Sequence, residues 1–153
     1  MPDERHQVSD LLTLMARLRD PETGCPWDLA QSYQTIVPCT LEECYELAAA
    51  IEEGDFDHVR EELGDVLFQV VFYAQLAAEE EHFDFSDVVD GLVSKLLRRH
   101  PHVFADGTLT SGPPERRHDT DEIKANWEAT KAAERIDKNQ HGTLARSEEH
   151  TFE

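Results

Sequence analysis

Hydrophobic residues recur every three or four positions along most of the chain, the spacing that gathers side chains on one face of an α-helix. This pattern predicts five helices, over about residues 9–19, 40–53, 56–80, 86–99 and 121–135. The third helix has the broadest apolar stripe, formed by Val59, Leu63, Val66, Leu67, Val70, Val71 and Ala74. In the fourth helix the residues predicted to be buried are Val89, Leu92, Val93, Leu96 and Leu97. No segment alternates as a half-buried strand does, so the predicted fold class is all-α.

Glycine and proline residues mark where these helices begin and end. Residues 21–28 read as a loop, and Pro38 is expected to precede the second helix, with Thr40 as its N-cap. Gly54 and Asp55 leave a very tight connection between the second and third helices, which predicts antiparallel packing. The expected architecture is an antiparallel helical bundle of four to five helices over residues 8–136, followed by a flexible tail over residues 137–153.

The charge balance excludes several classes of partner. The chain has 153 residues, with 14 basic and 33 acidic side chains and a formal net charge of −19. Such a surface repels a nucleic-acid backbone and an anionic membrane, so we expect neither as a partner. The three cysteines form no C-x-x-C pair and the N-terminus has no apolar signal segment, which favours a cytoplasmic location. A phosphorylated small molecule is compatible with this charge where a divalent metal accompanies it.

Carboxylates cluster on the second and third helices. Glu43 and Glu46 are three residues apart, as are Glu62 and Asp65, so each pair shares a helix face. Glu46 lies eight residues before Gly54 and Glu62 eight after it, so a hairpin brings them level. Two carboxylates roughly 6 Å apart repel by about 3 kcal/mol at an effective dielectric near 20. An all-carboxylate set that holds a cation favours Mg²⁺ or Mn²⁺.

A solvated charged face is the other interpretation of these acids, and Glu43 can instead close a capping box with Thr40. Two features favour a site. Apolar residues flank the acids of the second helix, which places them at the border of the core. Gly64 interrupts the long third helix at a cost of about 1 kcal/mol, which indicates a close approach at that point.

Six motifs follow one another in a fixed order. They are LRDP at residues 18–21, GCPWD at 24–28, TLEECYE at 40–46, ELGDVLFQVVF at 62–72, RRHPHVF at 98–104 and NWE at 126–128. Together, across residues 11–131, they resemble the MazG-type nucleoside triphosphate pyrophosphohydrolases of the all-α NTP pyrophosphatase superfamily.

The resemblance implies Mg²⁺-dependent hydrolysis of nucleoside triphosphates between the α and β phosphates, in the manner of nucleotide-pool house-cleaning enzymes. Mn²⁺ is the expected substitute ion. It implies a homodimer or higher homo-oligomer, in which dimerisation completes the active-site bundle. By the same resemblance the metal ligands are Glu43, Glu46, Glu62 and Asp65. Glu42 and Glu43 are the catalytic candidates, with Glu42 either an outer acid or the base that orients the attacking water.

Basic and aromatic side chains supply the candidate contacts to substrate. These are Lys95, Arg98, Arg99, Lys124, Trp127 and Trp27. The basic residues are candidates for phosphate contact, although the two arginines can equally interact with the carboxyl end of their own helix. The two tryptophans are candidates for stacking on a base, and the alternative for each is a structural tryptophan in the core.

Two other classes of protein compete with this interpretation. A di-iron carboxylate bundle needs E-x-x-H pairs, and Glu79 with His82 and Glu115 with His118 have that spacing, although neither pair lies within an apolar-flanked helix. A non-catalytic helical dimerisation or regulatory module would keep the fold without the activity. Proteins of the resembled family often carry two such domains in tandem, whereas this chain has one.

Overall fold

The computed structural model describes the backbone of residues 5–149 and the side chains of residues 5–139. Six helices are found there: α1 Val8–Leu18, α2 Pro26–Leu29, α3 Tyr33–Glu53, α4 Phe56–Glu79, α5 Phe85–Arg99 and α6 Thr120–Glu149. The described backbone contains no strand, which confirms the all-α class. None of its helices is both long and apolar enough to cross a membrane. The chain divides into two compact units, Met1–Val88 and Val89–Glu153.

Helix α3 begins seven residues earlier than the sequence predicts. Ser32 is its N-cap: the Ser32 hydroxyl accepts from the Thr35 N–H at 3.3 Å, and the Thr35 hydroxyl accepts from the Ser32 N–H at 2.8 Å. Pro38 lies inside the helix, where its missing N–H removes one backbone hydrogen bond. The turn before Pro38 is held by Ile36, which is 6% exposed in the core, so packing offsets that loss. The prediction that Thr40 caps the helix is therefore wrong.

The hairpin between α3 and α4 forms as the sequence predicts. Gly54 ends α3 with a φ of 74°, a conformation that glycine adopts without steric cost, and its N–H donates to Ala50 and Ile51. Asp55 caps α4 by accepting from the His58 N–H at 3.3 Å. The two helices then pack against each other as antiparallel neighbours.

The core of the first unit lies between α1, α3 and α4. Its buried residues are Met15, Ile36, Val71, Phe72 and Leu76. Only part of the predicted α4 stripe is buried: Val71 and Ala74 are, whereas Leu63, Leu67 and Val70 are 53%, 41% and 40% exposed. The stripe is wider than the surface that the other helices of this unit cover. The predicted burial is also wrong for three α5 residues, Val89, Leu92 and Leu96, which are exposed.

In the second unit, α5 ends at Arg99 and α6 begins after Asp119, whose side chain accepts from the Glu122 N–H at 2.9 Å. Helix α6 continues to Glu149, well past the predicted end near residue 135. Residues 150–153 of the predicted tail lie outside the described residues. The domain boundary after residue 136 stays a prediction.

Candidate metal centre

The α3–α4 hairpin brings three predicted metal ligands together. One carboxylate oxygen from each of Glu43, Glu62 and Asp65 lies within 4.8 Å of the other two. Glu62 is buried, Glu43 is half-buried and Asp65 is exposed, so the group opens to solvent on one side. We call these three residues the carboxylate group. Its members come from facing turns of α3 and α4 because the tight Gly54 connection sets the register of the hairpin.

The electrostatics of the carboxylate group favour a bound cation. Burial raises the pKa of Glu43, and the charges of Glu46, Asp65 and Glu62 raise it further. The Oε2 atoms of Glu43 and Glu62 are buried and have no hydrogen-bond partner among the described residues. A buried anionic oxygen without a partner is costly, and a cation that it can ligate removes the cost. Hard carboxylate oxygens without thiolate or imidazole fit a Mg²⁺-type ion.

The other predicted acids lie close to this group but outside it. Glu46 is exposed, and its charge raises the pKa of Glu43, although it has no oxygen in the 4.8 Å set. Glu42 is exposed and lies outside the set as well. No histidine belongs to any such group among the side chains of residues 5–139. Of the E-x-x-H pair Glu79 and His82, only Glu79 lies in α4, and its carboxylate pairs with Arg19 at 2.8 Å, which disfavours a di-iron site.

Sequence reasoning missed the side chain that supports Glu62. His58 lies one turn before Glu62 on α4, and its Nε2 is 3.0 Å from Glu62 Oε1. Its Nδ1 is 3.5 Å from Glu53 Oε2. The hydrogen bond with Glu62 is the largest of the effects that raise the pKa of His58. The i, i+4 spacing of His58 and Glu62 is visible in the sequence and would have indicated this contact.

A cavity of about 220 Å³ adjoins the carboxylate group. Two members of that group, Glu43 and Asp65, also line the cavity. Trp27 of α2 lies at its rim and is 76% exposed, so the core alternative for this tryptophan does not hold within the chain. The position of α2 is fixed by Arg19, whose Nη1 donates to the carbonyl oxygen of Asp28 at 2.6 Å. The same guanidinium donates to both carboxylate oxygens of Glu79, at 3.1 and 2.8 Å.

The remaining substrate-binding candidates belong to the second unit. Arg98 and Arg99 both bind Glu134, with their Nη2 atoms 2.8 and 2.6 Å from its oxygens. Hydrogen bonds from Arg99 and Arg98 lower the pKa of Glu134. Trp127 is 39% exposed and lies beneath the Lys131 ammonium, 4.2 Å from the ring centre. Lys95 is half-buried and Lys124 is exposed. The substrate contacts of all these residues stay predictions.

Comparison with known proteins places this hairpin in a family. The model of the MazG nucleotide pyrophosphohydrolase domain matches residues 31–104, which include α3 and α4 with the carboxylate group. The nucleoside triphosphate pyrophosphohydrolase of Escherichia coli K12 is 53% identical over 139 residues, which are 91% of this chain and 50% of that protein. The nucleoside triphosphate pyrophosphohydrolase/pyrophosphatase MazG of Thermotoga maritima is 46% identical over 127 residues, 83% of this chain and 48% of that protein.

A solved structure agrees with these sequence matches. The crystal structure of a mazG-related protein from Thermotoga maritima superposes with a TM-score of 0.65 at 26% identity, over 82% of this chain and 99% of that one. The chain spans about half the length of the two curated relatives. The chain therefore contains a MazG nucleotide pyrophosphohydrolase domain over residues 31–104.

Proposed function

We propose that this chain hydrolyses nucleoside triphosphates between the α and β phosphates to a nucleoside monophosphate and pyrophosphate, with Mg²⁺ as cofactor. The observation that carries the proposal is the carboxylate group with its two buried, unpartnered oxygens. Clustered carboxylate oxygens are ligands for a divalent cation. A divalent cation in turn allows a strongly acidic protein to bind a negatively charged triphosphate. The curated relatives of the chain bear the name nucleoside triphosphate pyrophosphohydrolase.

The three residues of the carboxylate group would hold the ion. Glu46, whose charge raises the pKa of Glu43, would join them as a fourth ligand. Mn²⁺ has the same preference for oxygen ligands and is the expected substitute. When bound, the ion supplies charge neutralisation at the phosphate oxygens and lowers the pKa of coordinated water. Glu42 is exposed beside the group, and we propose that its carboxylate accepts the proton of the attacking water.

Cationic side chains of the second unit are proposed to bind the phosphates, as phosphoryl transfer requires fixed positive charge near the leaving group. Lys95 and Lys124 have no ion pair among the described residues, which leaves both ammonium groups available. Arg98 and Arg99 both form ion pairs with Glu134. To contact a phosphate, either arginine must bind the phosphate and Glu134 at the same time or give up its ion pair with Glu134. Trp127 and Trp27 are proposed to contact the base.

The exposed apolar side chains of the first unit support a homodimer. Val37, Leu41 and Tyr45 repeat every fourth residue along α3 and are 48%, 57% and 76% exposed. Leu63 and Leu67 continue such a stripe on α4. Ordered apolar stripes of this kind are typical of interfaces, and a second copy would bury them and complete the bundle. Sedimentation equilibrium tests this, and a monomer at micromolar concentration contradicts it.

The three free cysteines favour a reducing compartment, and we propose the cytoplasm.

The test of the activity is a product assay on a mixed panel of nucleoside triphosphates, with Mg²⁺ or with EDTA. We expect monophosphate and pyrophosphate with Mg²⁺ and no turnover with EDTA. Glu62→Gln should lower turnover by about 100-fold or more, because a metal ligand is lost. Glu61→Gln is the matched control, since Glu61 is the exposed neighbour in sequence and lies outside the carboxylate group. Diphosphate and phosphate as products, or full turnover in EDTA, would overturn the proposal.

A further inference from the structure

The cavity beside the carboxylate group has a size and position that suit one part of a nucleotide. Its volume of about 220 Å³ is below the roughly 300–1,000 Å³ of pockets that enclose a whole drug-sized ligand. Glu43 and Asp65 belong to both the cavity and the carboxylate group. A nucleotide whose phosphates lie at the carboxylate group therefore has its opposite end within reach of the cavity.

The side chains that line the cavity are better suited to a neutral aromatic ring than to a charged group. Ile36, Phe68 and Phe72 supply apolar walls. The charged lining residues among the described side chains, Asp28 included, are acidic, and no lysine or arginine of residues 5–139 lines the cavity. Phosphate would meet like charge here, whereas a flat heteroaromatic ring would meet apolar and aromatic surface.

Two neutral amide side chains, Gln31 and Gln69, also line the cavity. The Nε2 of Gln31 already donates to the carbonyl oxygen of Trp27 at 2.9 Å. Gln69 lies one helical turn after Asp65 on α4 and is only 7% exposed. Its Oε1 atom accepts from the hydroxyl of Thr40 on α3 at 2.9 Å. Its Nε2 has no hydrogen-bond partner among the described residues, yet it is not sealed from solvent, because it is absent from the buried unpartnered atoms. The amide nitrogen therefore remains free to donate to a ligand in the cavity.

Neighbouring hydroxyls determine which end of the Gln69 amide is hydrogen-bonded within the protein. Thr40 has a single hydroxyl proton, and its contact with Gln69 at 2.9 Å is shorter than its contact with the Ile36 carbonyl oxygen at 3.2 Å. Tyr73 lies 2.7 Å from the Thr40 oxygen and can donate to it. The Tyr73 ring is held parallel to that of Tyr33, with 6.3 Å between centroids. The relay from Tyr73 to Thr40 engages Gln69 Oε1 and leaves Nε2 as the end of the amide that has no partner among the described residues.

We infer that Gln69 reads the nucleobase, donating a hydrogen bond from Nε2 to a carbonyl oxygen on the base edge farthest from the sugar. This rests on the proposed function, because it takes a nucleoside triphosphate as the ligand. Uracil and thymine present O4 at that edge and guanine presents O6, whereas cytosine and adenine present an amine. An amine would meet the Nε2 donor and leave both groups unsatisfied. The preferred substrates are therefore nucleotides with a keto base.

The test compares kcat/KM for pairs of nucleotides that differ at this edge, UTP against CTP and ITP against ATP. We expect the keto member of each pair to be favoured by about 10–100-fold. Gln69→Leu should bring both ratios close to one, because the apolar side chain of similar size cannot discriminate between the edges. Gln75→Leu is the matched control: Gln75 is on the same helix but does not line this cavity, so the ratios should stay as in the wild type.

A purely structural role for Gln69 predicts something different, namely lower stability with unchanged ratios. Tyr73→Phe gives a second readout, since Tyr73 does not line the cavity but orients the amide through Thr40. We expect that variant to reduce the ratios, and unchanged ratios in both Gln69→Leu and Tyr73→Phe would overturn the inference.

Failure of the inference is distinguishable from failure of the proposed function. Hydrolysis of UTP and CTP at equal kcat/KM overturns the role of Gln69 and leaves the activity standing. Where none of the triphosphates is hydrolysed, the proposed function fails, and calorimetry with the α,β-methylene analogues of UTP and CTP decides the inference alone. Tighter binding of the UTP analogue supports it, and equal binding or no binding overturns it.

Discussion

Replacing Glu43 with glutamine should stabilise the metal-free protein and abolish its response to magnesium. Charges 4.8 Å apart, the outer limit within the carboxylate group, repel by about 3.5 kcal/mol at an effective dielectric of 20 and by about 0.9 kcal/mol in bulk water. Glu43 takes part in two of the three pairs. Because Asp65 is exposed, solvent screening brings the repulsion that Glu43→Gln removes closer to the bulk-water value. We therefore expect the substitution to raise the free energy of unfolding of the metal-free protein by about 1–3 kcal/mol.

The gain should depend on pH in a defined direction. The pKa of Glu43 is raised above its ordinary value of 4.5, so the folded protein holds this proton more tightly than the unfolded chain does. The carboxyl therefore favours folding at pH values below 4.5, and that contribution is lost as the pH rises through the folded pKa. The stability difference between Glu43→Gln and the wild type should be small near pH 4 and largest near neutral pH.

Urea and thermal unfolding in EDTA and in millimolar MgCl₂ measure both effects. An ion present at 100 times its dissociation constant adds about 2.7 kcal/mol to the wild type, and each kcal/mol is worth about 2–4 °C in Tm at this chain length. Glu43→Gln should show no such magnesium shift, whereas the control Glu61→Gln should keep it. The reasoning is refuted if Glu43→Gln unfolds more easily than the wild type in EDTA, or if it retains the full shift.

Three further substitutions test other parts of the account. Glu42→Gln should lower kcat for pyrophosphate release while the magnesium shift in Tm stays intact, and unchanged turnover would remove Glu42 from the role of base. Arg19→Lys loses the forked donor that joins Glu79 to the Asp28 carbonyl, so urea melts should show a loss of about 1–3 kcal/mol and kinetics a higher KM. Gly64→Ala should gain up to about 1 kcal/mol in unfolding free energy, because a Cβ there meets nothing within 4 Å, and a measured loss would show that a second copy packs at this point.

Helix positions were predictable wherever local signals and periodicity agree. The predicted ends of α1, α4 and α5 fall within one residue of those observed. At the start of α4 the reason is local, because the Gly54 turn and the Asp55 cap fix the backbone there. The start of α3 was not predictable from Pro38. A proline is read as a breaker, but the turn before it is anchored by Ile36 in the core, and that packing is invisible to a local rule.

The convergence of the acids followed from the hairpin, but the environment of each acid did not. Spacing of three residues places Glu43 and Glu46 on one face without showing that only Glu43 brings an oxygen within 4.8 Å of Glu62 and Asp65. The burial of apolar stripes was overestimated for a related reason. Periodicity shows that a face of a helix is apolar, but whether the same chain covers it depends on partners that periodicity does not reveal, and Leu63 remains 53% exposed.

The corrected start of α3 changes the interpretation of the site more than any other difference. As a cap, Thr40 would have engaged the Glu43 backbone, and Glu43 would have been explained as half of a capping box. Inside the helix, the Thr40 hydroxyl instead bonds across to Gln69 at 2.9 Å, and the Glu43 carboxylate is left to the carboxylate group. Thr40 lies three residues before Glu43 and Gln69 four after Asp65, so the polar relay and the carboxylates occupy consecutive turns of the same two helix faces. A shift of α3 along α4 would therefore disturb both together. In the proposed binding mode, the packing of this one helix pair would set the distance between the phosphates and the base of the bound nucleotide.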